Sequence, residues 1–177
     1  MYHLQGLSFR EYLSLFKGVE VPVYTLDELV AGKPDVLDIS TPLLHFEEYL
    51  RRGYYPFSKD RDFEEKLRQI INLTLEIDIP VFAEMNASMG QKFKKLLVII
   101  SKSVPFKPNM SKLAEMIGVG RNLMPDYLRY IEEAGMIAQL KDDTQGIRGL
   151  GKVDKVYLDN TNLAYSLSEG GVNMGNL

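Results

Sequence analysis

The sequence predicts a mainly α fold in two parts. An N-terminal helical domain, of lid or linker type, is expected over residues 1–86, and a winged helix-turn-helix domain over residues 87–165. Residues 166–177 are expected to be a flexible tail. Three observations lead there. Helix-capping signals and Pro or Gly breakers recur at short intervals through the first half. Three amphipathic stretches followed by two alternating segments make up the second half, the element order of a winged helix. The charge also changes sign between the halves: residues 1–87 carry 9 Lys and Arg against 15 Asp and Glu, residues 88–165 carry 12 against 8.

In the first half, Ser8 with Glu11 three residues on reads as a capping box for a helix whose Phe9, Leu13 and Phe16 share one face. Gly18 and Pro22 end it. Thr25 and Glu28 repeat the signal before a short helix to about Ala31, terminated by Gly32 and Pro34. Ser40 or Thr41, with Pro42 in the first turn, starts a helix through Leu43, Leu44, Phe46, Tyr49 and Leu50 that Gly53 stops. Tyr54, Tyr55, Pro56 and Phe57 form an aromatic link. From Asp60 to about Ile77 the spacing of Phe63, Leu67, Ile70, Ile71 and Leu75 is helical, and the acidic residues at 60, 62, 64 and 65 favour its positive N-terminal end. Pro80 is expected to break this helix and to place the domain boundary within residues 79–88.

The second half opens with a helix from Ser88 to about Ser103. Its Phe93, Leu96, Leu97 and Ile100 face inward and its Lys92, Lys94, Lys95 and Lys102 face water. Pro105 and Pro108 close it. A helix over Ser111 to Ile117, a turn at Gly118-Val119-Gly120 and a second helix to about Ala134 come next. Met136 to Leu140 and Val153 to Leu158 alternate as two strands, with Lys141 to Lys152 as a long hairpin loop. Asp159-Asn160-Thr161 then caps a last helix, Asn162 to Leu167.

Leu113, Ala114, Ile117, Gly118, Val119, Met124 and Tyr127 occupy the helix-turn-helix positions, with Ala114 at the crossing and Gly118 at the turn. The exposed positions of the second helix are then Gly120, Arg121, Asn122, Pro125, Asp126 and Arg129. Arg and Asn are good readers of guanine and adenine edges, whereas Asp126 repels phosphates. If Gly120 caps the helix, Pro125 deletes an internal bond at a cost of up to about 3 kcal/mol. If Asn122 caps it, Pro125 costs nothing, but the groove-entering end is shorter. The candidate DNA contacts are Lys112, Arg121, Asn122, Arg129, Arg148, Lys152 and Lys155, mostly through phosphates. A packing module that docks protein and reads no base is the competing expectation.

Other chemistry is disfavoured. No cysteine is present, which removes thiol nucleophiles, disulfides and cysteine zinc sites and fits a reducing cytoplasm. His3 and His45 are far apart, and His45 sits among Glu47 and Glu48 on an amphipathic helix as a surface or half-buried histidine. Gly146 to Lys152 has phosphate-loop spacing, but Val153 replaces the magnesium-binding hydroxyl residue and a strand comes next instead of a helix. No catalytic, metal or cofactor residue is therefore assigned. The longest apolar run, Leu96 to Ile100, is far short of a membrane span.

Four segments in combination, Leu7 to Leu13 (LSFREYL), Tyr49 to Pro56 (YLRRGYYP), Ser111 to Leu128 and Val156 to Leu163 (VYLDNTNL), resemble the C-terminal part of a large prokaryotic family of AAA-type ATPases. In that family a P-loop core precedes the LSFREYL stretch, and a winged helix and a restriction-endonuclease-like domain follow. The resemblance implies a non-catalytic segment that docks DNA or a protein partner and couples it to an ATPase core outside this chain. ATP and Mg²⁺ belong to that core; no Walker segment is present here, so no nucleotide-binding residue carries over. A truncated piece of a longer protein is expected. The alternative is a free-standing winged-helix transcriptional regulator; weak, sequence-indifferent DNA binding is expected of the chain.

Overall fold

The computed structural model describes residues 5–32, 39–102, 107–141 and 153–167. In it the chain is mainly helical, with one small two-stranded antiparallel sheet. It divides into two compact units, residues 1–63 and 64–177. The expected boundary at 86/87 thus falls inside the second unit. The sequence elements expected at 103–106, most of the 141–152 loop and the tail from 168 onward lie outside the described residues.

In the first unit, both predicted capping boxes form. The Ser8 backbone N–H donates to Glu11 Oε2 at 2.7 Å and the Glu11 N–H returns to Ser8 Oγ at 3.3 Å, opening α1 (Phe9–Tyr12). Thr25 and Glu28 do the same, at 2.8 and 3.3 Å, for α2 (Leu26–Val30). Between them α1 widens into a π turn, Leu13–Lys17, and ends at Gly18, whose φ of +66° only glycine adopts without strain. α3 (Pro42–Glu48) starts without a side-chain cap: Thr41 stands in the left-handed region and makes no capping bond. Its Leu43, Leu44 and Phe46 are exposed rather than buried, while Phe46 and Tyr49 meet Phe9 edge-on or tilted at 5.2 and 5.3 Å between ring centres.

The helix ends at Gly53 as expected, without a left-handed turn there. Gly53 completes a π turn, Tyr49–Gly53, and is buried. A Cβ there would lie 2.6 Å from the Tyr49 ring and 2.9 Å from the Tyr12 ring, so the residue is glycine because two aromatic rings close over it. A 3₁₀ turn, Pro56–Lys59, leads to Phe63, which is 2% exposed and packs against Phe57.

The second unit begins within α4 (Phe63–Leu73), whose Leu67 and Ile71 are buried, with Leu75 continuing the same spacing just beyond it. Pro80 does not break the helix. A π turn, Thr74–Asp78, precedes α5 (Ile79–Phe82), and Pro80 sits in the first turn of α5, buried. A proline N–H is missing without loss at a helix start, and the widened turn before it relieves the crowding that a proline ring imposes on the preceding turn. This continuity keeps residues 79–86 in the second unit.

α6 (Met89–Ser101) buries Phe93, Leu96, Leu97 and Ile100. Gly90, at its start, lies against the backbone of Glu76: a Cβ at position 90 would be 2.6 Å from Glu76 Cα. α7 (Met110–Ile117), a 3₁₀ turn (Arg121–Leu123) and α8 (Met124–Glu133) come next, and Phe93 of α6 meets Tyr127 of α8 at 5.0 Å between ring centres. β1 (Ile137–Lys141) pairs with β2 (Val153–Leu158), Ile137 opposite Leu158 and Leu140 opposite Lys155. Ile137 and Val156 turn inward, and Ala138, Leu140 and Tyr157 outward. α9 (Thr161–Leu167) is capped by Asn160, whose Oδ1 accepts the Leu163 N–H at 3.1 Å. It runs two residues past the expected domain end at 165.

Candidate functional site

The site is built on the turn between α7 and α8. Asn109 caps α7 by accepting the Lys112 N–H at 3.1 Å, a role that the sequence alone left unassigned. Leu113, Ala114 and Ile117 bury one face of α7; Met124, Tyr127, Leu128 and Ile131 bury one face of α8. Each helix thus buries one face at helical spacing. Gly118 turns the chain with φ +70°, its N–H and that of Val119 satisfying carbonyls at the end of α7. From α6, Lys92 Nζ donates to the Gly118 carbonyl at 2.7 Å, pinning the turn from outside.

The residue at the head of α8 is neither of the two caps considered from sequence. Gly120 leads the 3₁₀ turn, its carbonyl accepting the Leu123 N–H at 3.0 Å, and Leu123 stands at the N-cap of α8. Pro125 is the second residue of α8, where its N–H would be free in any case. Arg121 and Asn122 thus sit on the 3₁₀ turn, both exposed, one turn before the helix proper.

Arg129, one of the predicted contacts, is paired on its own helix. Its guanidinium lies 3.1 Å from Glu133 and 3.7 Å from Asp126, and 4.6 Å from the centre of the Tyr130 ring. The hydrogen bond to Glu133 raises its already high pKa further. The spacing of 126, 129 and 133 is that of ion pairs along one helix face. Glu132, also overlooked, accepts the Gln139 backbone N–H at 2.8 Å and its side-chain amide at 2.8 Å, tying α8 to β1.

Of the remaining candidates, Lys112 is exposed on α7 and Lys155 is half-buried on β2, opposite Leu140. Arg148 and Lys152, with the phosphate-loop spacing from 146 to 152, lie outside the described residues. Around the turn and sheet, Met116, Leu123, Leu140 and Tyr157 are large apolar residues between 41 and 53% exposed. Among the described residues, no group of three or more His, Asp or Glu side chains is placed to hold a metal ion. Nor is any described helix long and apolar enough to cross a membrane.

Comparison with known proteins adds one finding. A family model described as "Domain of unknown function (DUF8612)" matches residues 43–172. No curated protein and no solved structure matches the chain.

Proposed function

The chain belongs to the DUF8612 family, and from that premise we propose that it is a non-catalytic adaptor in which a winged helix over residues 87–165, within the second unit, docks a protein partner and touches DNA only weakly and without sequence preference. The observation that carries this reading is the exposed face of α8. Asp126 and Glu133 flank Arg129 there, so two carboxylates hold one guanidinium where a groove-reading helix needs free cations. The neighbouring elements present Met116, Leu123, Leu140 and Tyr157, apolar surface that suits a protein interface better than a phosphate backbone.

A second reading rests on Arg121 and Asn122. Both are exposed at the head of α8, and with Lys112 and Lys155 they support phosphate contact on the order of 10⁻⁴ to 10⁻⁶ M at physiological salt. A free-standing transcriptional regulator would use these same residues for base readout. The sequence resemblance to AAA-type ATPases supports one extension. In it the N-terminal helical unit is a lid or linker that couples the docked partner to a cytoplasmic ATPase core supplying ATP and Mg²⁺ chemistry.

A salt titration of anisotropy with two unrelated duplexes tests the proposal. Equal, salt-sensitive affinities are expected, weakened alike on both duplexes by Arg121→Ala and Lys155→Ala. A preference of about 10³ or more for one duplex would overturn protein docking in favour of the regulator. Absence of binding even at low salt would remove the DNA contact and leave the docking role.

A further inference from the structure

The first unit holds a pocket of about 220 Å³ that the adaptor reading does not use. Lys17, Arg52 and Lys59 bring three cations to its wall against one carboxylate, Glu48, beside the rings of Tyr12 and Phe16. These groups come from three separate stretches, and nothing in the local sequence pattern places them together.

The cations are held in three different ways. Lys17 Nζ lies 2.6 Å from Glu48 Oε2, a closed ion pair that lowers the pKa of the carboxyl and raises that of the ammonium. The Lys17 ammonium therefore offsets the charge of Glu48 within the pair, reducing its repulsion of an incoming anion. Arg52 donates from Nε to the Ser58 carbonyl at 2.8 Å and from Nη2 to the carbonyls of Ser58 and Asp60, and its plane lies over the Phe63 ring at 5.1 Å. Carbonyl oxygens orient a guanidinium without cancelling its charge, and Nη1 keeps its hydrogens free of those bonds. Lys59 Nζ lies 4.7 Å from the centre of the Phe16 ring, and among the described residues no carboxylate pairs with it. Two uncompensated positive charges remain, one of them on a guanidinium already fixed in place.

We propose that this pocket binds a small phosphate-type polyanion, of the size of pyrophosphate. The free Nη1 of a guanidinium fixed in place and a Lys point charge both offer phosphate oxygens charge-assisted hydrogen bonds. A guanidinium held by carbonyls gives up little further freedom on binding. The volume, below the roughly 300 to 1,000 Å³ of sites that enclose whole drug-sized molecules, selects a phosphate chain and leaves any attached nucleoside outside.

The test is an amide NMR titration of the intact chain with pyrophosphate at low ionic strength. Saturable shifts are expected at Lys17, Arg52 and Lys59. Lys59→Glu should weaken binding on the order of tenfold or more and Lys59→Ala less so, while Lys95→Ala, exposed on α6 of the second unit, leaves it unchanged. Because Lys59 is exposed, neither variant is expected to change the melting temperature, which is measured alongside. Titrating ATP in parallel separates the sources: equal or weaker affinity identifies the free phosphate chain, and tighter affinity identifies the phosphate end of a nucleotide. Shifts that fail to saturate, that fall equally on Lys112, Arg121 and Lys155, or that survive Lys59→Glu would overturn the proposal.

Discussion

Replacing Gly90 by alanine should destabilise the second unit, although alanine is the better helix former. The added Cβ would lie 2.6 Å from Glu76 Cα, 3.1 Å from its Cβ and 3.2 Å from its carbonyl oxygen. Ordinary carbon contacts are about 3.5 to 4.0 Å, so the start of α6 must retreat from the 74–78 turn by on the order of 1 Å. The obstacle is backbone and cannot swing aside. Retreat also disturbs Gln91 and Lys94, which reach Glu76 Oε1 at 3.2 and 3.4 Å. Overpacking of this kind costs about 1 to 3 kcal/mol. The propensity gain of alanine offsets at most about 1 kcal/mol of it, and less in a first turn. A net loss of about 1 to 2 kcal/mol lowers the melting temperature by roughly 2 to 8 °C for a chain of this size. Gly120→Ala is the control. Nothing lies within 4 Å of a Cβ there and its φ is −67°, so that variant should be neutral or gain about 0.4 to 1 kcal/mol. Circular dichroism melts of the two variants check both signs. An unchanged or higher Tm for Gly90→Ala would mean that α6 does not approach Glu76 this closely.

Three other outcomes are expected from the same geometry. Ala114→Leu should lower stability by about 1 to 3 kcal/mol, because Ala114 is 3% exposed where α7 meets α8; an unaltered melt would refute that packing. Asn160→Ala should cost about 1 kcal/mol through loss of the α9 cap, and Asn160→Asp should not fully restore it, since the new carboxylate would stand beside that of Asp159, 3.3 Å away; chemical denaturation of both variants measures this. Hydrogen bonds from Ser8 and from Thr25 hold the Glu11 and Glu28 carboxyls below the usual value of 4.5. A carboxyl with a lower pKa folded than unfolded adds stability above the unfolded value and loses it as pH falls through the folded one. Amide protection in α1 and α2 should accordingly decline below about pH 4.5, and Ser8→Ala should remove that step from α1 alone. Protection that is flat with pH would contradict the capping boxes.

Features decided within one or two turns of chain were already legible in the amino-acid order. The Ser8 and Thr25 capping boxes, the left-handed turn at Gly118 and the buried faces of α7 and α8 form as their spacing predicts. Each depends on residues three or four apart and on backbone geometry that neighbours alone can satisfy. The alternation of β1 and β2 was legible for the same reason. The break expected at Pro80 does not form, because the local rule that proline breaks a helix competes with the wider turn before it, whereas Gly53 ends its helix as expected but for a reason that no local window contains. A π turn accommodates Pro80, and the Tyr12 and Tyr49 rings leave room only for a hydrogen at Gly53. Gly90 carries no local signal, since the backbone it touches belongs to another helix. The candidate surface shows both regimes on one element. The Asp126, Arg129 and Glu133 pairing could be read from its periodicity, but that Arg121 and Asn122 fall on a 3₁₀ turn ahead of α8 was decided by where the buried face of that helix begins. The pocket of Lys17, Arg52 and Lys59 belongs wholly to tertiary structure. A charge count registers those three cations, but only the folded chain decides that one pairs with Glu48, one is oriented by carbonyls and one lies over a ring without a carboxylate partner among the described residues. Electrostatic compensation depends on distance in space, and sequence separation does not encode it.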